Sequence, residues 1–151
     1  MTKPQRTLWR SGLLLASSVA LAVWAGAHGK KPWPVPEEAK KLANPYPAGE
    51  AALKAAKGLY AEYCSQCHGD SGKGDGPEAA MYKTKPADFT DAHMMSEMSD
   101  GEIYYKVTEG RRPMPGFKKT LTDEQRWMLV NYVKTFATKA AVPAEKSSHK
   151  H

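Results

Sequence analysis

The stretch Cys64-Ser65-Gln66-Cys67-His68 holds the only two cysteines of the 151-residue chain, three positions apart and followed at once by a histidine. Four chemistries use such a cluster: a disulfide, thiol–disulfide exchange, a metal clip, and the covalent fixing of a prosthetic group. Exchange through C-x-x-C belongs beside a βαβ pattern, and no convincing strand is readable anywhere in the chain. Structural zinc takes four ligands, usually from two paired sets. Cys67 and His68 are adjacent and point in different directions, and His28, His93, His149 and His151 form no second pair.

The remaining chemistry uses every residue. C-x-x-C-H is the attachment signature of c-type haem. Two thiols one helical turn apart face the same way, so both reach one porphyrin edge and each adds to a vinyl group. The histidine that follows places its imidazole over the iron. Whatever takes the sixth iron position then decides between electron transfer and reaction with a substrate. Among seven methionines, Met114 stands out, set in Arg111-Arg112-Pro113-Met114-Pro115-Gly116-Phe117. Each flanking proline fixes φ and removes a donor, giving a stiff loop with little entropy left to lose. Its 46-residue separation from His68 lets the chain cross to the other haem face. Met94, Met95 and His93 are the alternative ligands; Met81 is too close in sequence, and Met98 and Met128 read as core.

These groups need elements to position them. Glu50–Cys67 reads as one helix with Leu53, Ala56, Tyr60 and Tyr63 on a single face. Gly69–Pro77 is a loop; the rival reading of its glycines, a phosphate cradle, lacks the preceding strand and the Lys-Ser/Thr pattern. A short helix is expected over Glu78–Lys83. Capping boxes at Ser99/Glu102 and Thr122/Gln125 open two more helices, the first ending at Gly110 and the second presenting Leu129, Tyr132, Val133 and Phe136. The expectation is a small all-α domain over residues 50–138, preceded by a Pro-rich linker, 28–49, and followed by a flexible tail, 139–151. Trp33 and Tyr46 offer a second reading of the linker, folded back on the domain.

Residues 1–27 form a targeting segment. Basic residues lead into a 15-residue apolar core, Leu13–Ala27, short for a span and suited to a signal peptide. Ala25-Gly26-Ala27 predicts cleavage before His28; an uncleaved membrane anchor through residues 11–27 is the alternative. Either places the folded part outside the cytoplasm. The formal charge of +6 falls to +3 without this segment, since Lys3, Arg6 and Arg10 leave with it. So mild an excess, with no basic stripe interleaved with aromatics, does not suggest a nucleic-acid binder.

The three blocks AAKGLYAEYCSQCHG, EGRRPMPGF and LTDEQRWMLVNYVKTF, in this order, resemble a class I c-type cytochrome of the small bacterial single-haem kind, over residues 50–138. The resemblance implies a few helices wrapped round one covalently bound haem c, with the N- and C-terminal helices crossing through Tyr60, Leu129 and Tyr132. It implies Met114 as the axial partner of His68, and the Pro77 carbonyl as acceptor for the far nitrogen of His68. Phe89 and Phe117 are expected as haem walls. The function implied is that of a periplasmic carrier of single electrons, not an enzyme. Two alternatives stay open: a dedicated subunit of a membrane respiratory or oxidoreductase complex, and a haem enzyme or gas sensor with an open sixth site. Redox protein partners are expected. Arg111, Arg112, Lys118 and Lys119 bracket Met114 with no acid between them, which suggests docking on an acidic partner surface; a solvated basic loop is the bland reading.

Overall fold

The helical periodicities are realised as six α-helices among residues 32–141, the part of the chain that a computed structural model describes. They are α1 (Glu37–Lys40), α2 (Glu50–Tyr63), α3 (Ser65–His68), α4 (Ala92–Glu97), α5 (Asp100–Glu109) and α6 (Asp123–Ala141), with a 3-10 turn at Ala79–Met81 in place of the short helix expected over Glu78–Lys83. No strand occurs among the described residues. The segment 1–27, the proposed cleavage point and the end of the tail lie outside them. α6 runs to Ala141, so the last helix continues past the expected boundary at Thr138.

α2 is rich in Ala, Leu, Lys and Glu, side chains that lose little freedom in a helix. Its expected continuation to Cys67 is interrupted at Cys64, which leaves helical geometry (φ −123°, ψ −35°) before α3 begins. Cys64 still donates its N–H to the Tyr60 carbonyl (2.9 Å), and its own carbonyl accepts from His68 N–H (2.9 Å). The chain bends there without abandoning its backbone bonds.

The face read from the sequence is the one α2 buries: Ala56 and Tyr60 fully, Leu53 and Tyr63 in part. It crosses α6, whose Leu129, Val130, Tyr132, Val133 and Phe136 are all buried. The Tyr60 ring packs against both Tyr132 and Phe136, at 5.3 and 5.2 Å between centroids. Tilted aromatic pairs of this kind contribute about 0.5–1.5 kcal/mol beyond their buried area. Ala56 is 0% exposed, so the crossing is close enough to enclose its methyl group completely. The Tyr60 hydroxyl donates to the Gly69 carbonyl at 2.8 Å, which ties the loop after His68 to the helix crossing.

Both capping boxes form at the backbone. Glu102 N–H donates to Ser99 Oγ (3.2 Å), but the Glu102 carboxylate turns away to pair with Lys106 (2.6 Å). At α6 the exchange is reciprocal: Thr122 N–H to Gln125 Oε1 (2.9 Å) and Gln125 N–H to Thr122 Oγ1 (3.2 Å). The sequence reading missed α4, which is capped by Asp91 accepting from Met94 N–H at 3.0 Å.

Residues 33–49 correct the linker expectation; of its two readings, the folded-back one is found. Val35 and Ala39 are buried. Ser99 Oγ donates to the Lys40 carbonyl (2.7 Å), Asn44 Nδ2 donates to the Trp127 carbonyl (3.1 Å), and Asn131 Nδ2 donates to the Tyr46 carbonyl (3.1 Å). The strap is extended around its prolines apart from the single turn of α1, and Ser99 at the N-cap of α5 and Asn131 of α6 satisfy two of its carbonyls. The contact with α5 requires Gly101. A Cβ there would collide with the Ala39 carbonyl oxygen and lie 2.9 Å from that of Leu42. Gly101→Ala should therefore lower the urea midpoint, because overpacking costs about 1–3 kcal/mol and outweighs the roughly 1 kcal/mol of helix propensity gained. Gly58→Ala is the contrasting case, with nothing within 4 Å of its Cβ. It should raise the midpoint by about 0.4–1 kcal/mol of stability. Equal shifts of the same sign would show that the strap does not press on α5.

Candidate haem site

Cys64 occupies the α2–α3 bend and packs against the core; Cys67 lies half-buried in α3, and neither is in a disulfide. Burial, with Cys67 alongside, pushes the Cys64 thiol up to about 12. Cys67 is also raised, by burial and then by the Glu78 carboxylate, whose Oε2 lies 3.7 Å from its sulfur. Metal clips and thiol exchange need thiolates, which a lowered pKa supplies; both cysteines are shifted the other way. Among the described residues, no three His, Cys, Asp or Glu side chains gather as a metal site would require.

The His68 ring is fixed on two sides. Its Nδ1 lies 3.2 Å from the Ala87 carbonyl, which can only accept, so Nδ1 carries the proton and Nε2 keeps a bare lone pair. The ring also stacks on Phe89 (4.5 Å between centroids, 14° between planes), and Phe89 stacks in turn against Phe136 at 6.4 Å. Burial lowers the pKa of His68, partly opposed by the Ala87 bond, so the imidazole is neutral at pH 7. A neutral imidazole with its far N–H held by a carbonyl is the form that binds metal.

The acceptor is therefore Ala87, not Pro77. The glycine loop explains the change. Gly76 N–H donates to the Cys67 carbonyl (3.2 Å) and Glu78 N–H to that of Gln66 (2.8 Å), so Pro77 runs back along the α3 backbone. A Cβ on Gly76 would strike the Gln66 carbonyl, and only glycine permits so close a return. Pro77 is left exposed. The chain then comes round to donate Phe89 N–H to the Gly72 carbonyl (2.7 Å), which brings Ala87 and Phe89 to the ring. The phosphate-cradle reading fails on the same bonds, since Gly72, Gly74 and Gly76 all spend their N–H groups on the protein itself. The cleft of about 370 Å³ beside this loop is lined by Asp70 and Asp75, which would repel phosphate.

Met114 sits in a loop pinched at its base. Phe117 N–H donates to the Val107 carbonyl (3.0 Å) and Lys118 N–H to that of Thr108 (3.2 Å). Gly110, at φ 66°, and Gly116 approach so closely that a Cβ on either would meet backbone. Across the loop, Arg111 N–H donates to the Met114 carbonyl (3.0 Å) in an isolated β-bridge. Of residues 111–116 only Met114 is withdrawn from solvent, and it packs on the core. The alternatives are less well placed. Met95 is core, His93 is exposed beside Glu97, and Met98 Sδ accepts from Lys106 Nζ at 3.2 Å. Met94, half-buried against the same core, is the one rival that stays. Phe117 is buried, with Tyr63 edge-on at 5.9 Å, and Phe89 is half-buried. Two unpaired thiols, an imidazole with Nε2 bare, an inward thioether and aromatic walls fit the donor set of a haem c.

The bracketing charges are partly engaged. Lys118 pairs with Glu109 at 3.2 Å, and the Arg111 guanidinium lies over the Trp33 ring, 4.8 Å from its centroid. The sequence reading missed Ala87 and Glu78.

A family model described as "Cytochrome C oxidase, cbb3-type, subunit III" matches residues 51–133. The chain belongs to this family and is a class I c-type cytochrome domain. A chain of the Kuenenia stuttgartiensis reducing HAO-like protein complex Kustc0457/Kustc0458 is 32% identical with a TM-score of 0.54, over 71% of this chain and 51% of that one. The chain thus spans about half the length of that relative. The KustC0563 c-type cytochrome is 30% identical with a TM-score of 0.48, over 54% of this chain and 95% of that one. No curated protein matches the chain.

Proposed function

We propose that the chain is a single-electron carrier with one haem c, held by Cys64 and Cys67 and ligated by His68 and Met114, on the periplasmic side of a bacterial membrane. Two observations carry the reading: His68 is locked with Nε2 bare, and the pinched loop turns inward only at Met114. Haem c supplies a reversible ferrous–ferric couple. The protein supplies constancy around it: burial keeps the imidazole neutral, the Ala87 carbonyl keeps it oriented, and the loop keeps the sulfur in reach. A His/Met pair favours the ferrous form and raises the potential. A sixth position filled from a stiff loop leaves no site for substrate, which favours the carrier over an enzyme or sensor. The test is a reduced spectrum with added carbon monoxide. An unchanged spectrum fits the carrier; a bound carbon monoxide band at neutral pH would assign the open-site alternative.

The relative in the HAO-like complex gives weight to a second reading, a dedicated subunit of a larger assembly. Sizing of protein extracted without detergent separates the two. Export agrees with both readings, and no described helix is long and apolar enough to cross a membrane. Mass spectrometry from the native host should find a chain beginning at His28.

The loop around Met114 is the proposed docking face for an acidic partner, now resting chiefly on the exposed Arg112 and Lys119. Complementary charge accelerates encounter by roughly 10–10³-fold, and the Debye length falls from about 10 Å at 0.1 M salt to about 3 Å at 1 M. Charge reversal at Arg112 and Lys119 should slow low-salt electron transfer to the partner and flatten its salt dependence. A stopped-flow rate indifferent to both would leave a solvated loop.

A further inference from the structure

We propose that Trp33 is a positioning residue for the Met114 loop, so that the strap before the domain sets how firmly the sulfur is held; this rests on Met114 as the sixth ligand. The strap reaches that loop by running the length of α5. At the start of α5, Ser99 Oγ holds the Lys40 carbonyl at 2.7 Å, and Gly101 lets the Ala39 carbonyl press on the helix. Val35 and Ala39 are buried between these points and Trp33. Past the other end of α5, the half-buried Trp33 ring takes the Arg111 guanidinium at 4.8 Å and has Lys106 Nζ at 5.8 Å. The three extended steps from Trp33 to Pro36 span roughly 10 Å, and the turn of α1 to Ala39 adds about 5 Å, together matching the roughly 15 Å of the ten-residue α5.

Arg111 is the connection to the site. Its side chain is held by the strap, and its N–H closes the loop on the Met114 carbonyl at 3.0 Å. The loop base is fixed by α5 itself, through Val107 and Thr108, while Arg112, Pro113 and Pro115 in its outer part are exposed. An indole under a guanidinium attracts it through the ring quadrupole. Losing that contact raises the fraction of time the loop stands open, and an external ligand gains apparent affinity in proportion to that fraction.

The test uses ferric holoprotein, with imidazole as the competing ligand and the sulfur–iron(III) charge-transfer band as the readout. Trp33→Ala should bind imidazole about fivefold more tightly than wild type, a factor typical of one cation–π contact. The Arg111 amide should exchange hydrogen faster by a similar factor. Trp33→Phe retains a ring face and should return most of the way to wild type in both readouts, which a merely structural loss would not show. Met114→Ala separates the outcomes. If it loses the band while Trp33→Ala matches wild type in imidazole affinity and Arg111 exchange, the clamp is overturned and the ligand assignment stands. If Met114→Ala keeps the band, both are overturned.

Discussion

Cys67→Ala protein should carry at most one thioether, and at least about tenfold less of it should mature than of wild type. The reasoning begins with the fold. The side chains that would face a haem, among them Phe89, Met94 and Met114, are only partly covered by the polypeptide, and the region lacks a strand or disulfide to hold it. A group bound only by the native state stabilises it by RT ln(1 + [L]/Kd), about 4 kcal/mol when the ligand exceeds Kd a thousandfold, and a covalent link acts at higher effective concentration. Small domains have only about 5–15 kcal/mol to lose. Cys64→Ala should be at least as damaging, because its sulfur sits on the core at the bend between α2 and α3. Acid-denatured wild-type protein should keep its colour with the polypeptide. Extraction of free haem into organic solvent would sink the covalent assignment at both cysteines.

The legible parts of this molecule were those decided within a few residues. The Thr122/Gln125 box, the Leu129–Phe136 face and the Tyr60 stripe each depend on helical spacing alone, and each stands in the structure where the spacing puts it. The Cys64–His68 cluster stood out because no other cysteine competes with it and a helix ends at it. Three features were not. The acceptor for His68 depends on which carbonyls the glycine amides choose, and that choice sends Pro77 along α3 and brings Ala87 to the ring. The strap looked like a tether because prolines forbid regular structure, while its anchors, Ser99, Asn131 and Gly101, lie more than fifty residues away. The basic cluster looked uniform in sequence, but α5 ends by offering Glu109 to Lys118, and the strap offers Trp33 to Arg111.

Met114→Ala should abolish the sulfur–iron(III) charge-transfer band, open the iron to carbon monoxide and lower the potential. The substitution leaves the loop itself standing. Its base is closed by Phe117 and Lys118 on Val107 and Thr108, and the Arg111 N–H bonds the backbone carbonyl of residue 114, which alanine keeps. Lost core packing at a half-buried methionine is smaller than the 2–5 kcal/mol of a fully buried one, so the protein should still fold and attach its haem. The spectroscopic change then reports the ligand and not the fold. Axial and neighbouring ligands tune haem potentials over about 0.8 V among proteins; removing a thioether that favours the ferrous state moves the potential down within that range. Met94 is the control, since it too is half-buried against the same core. Met94→Ala should leave band, potential and carbon monoxide exclusion near wild type. If the losses follow Met94→Ala and Met114→Ala is silent, the iron takes its sulfur from α4, and the pinched loop holds its methionine only for packing.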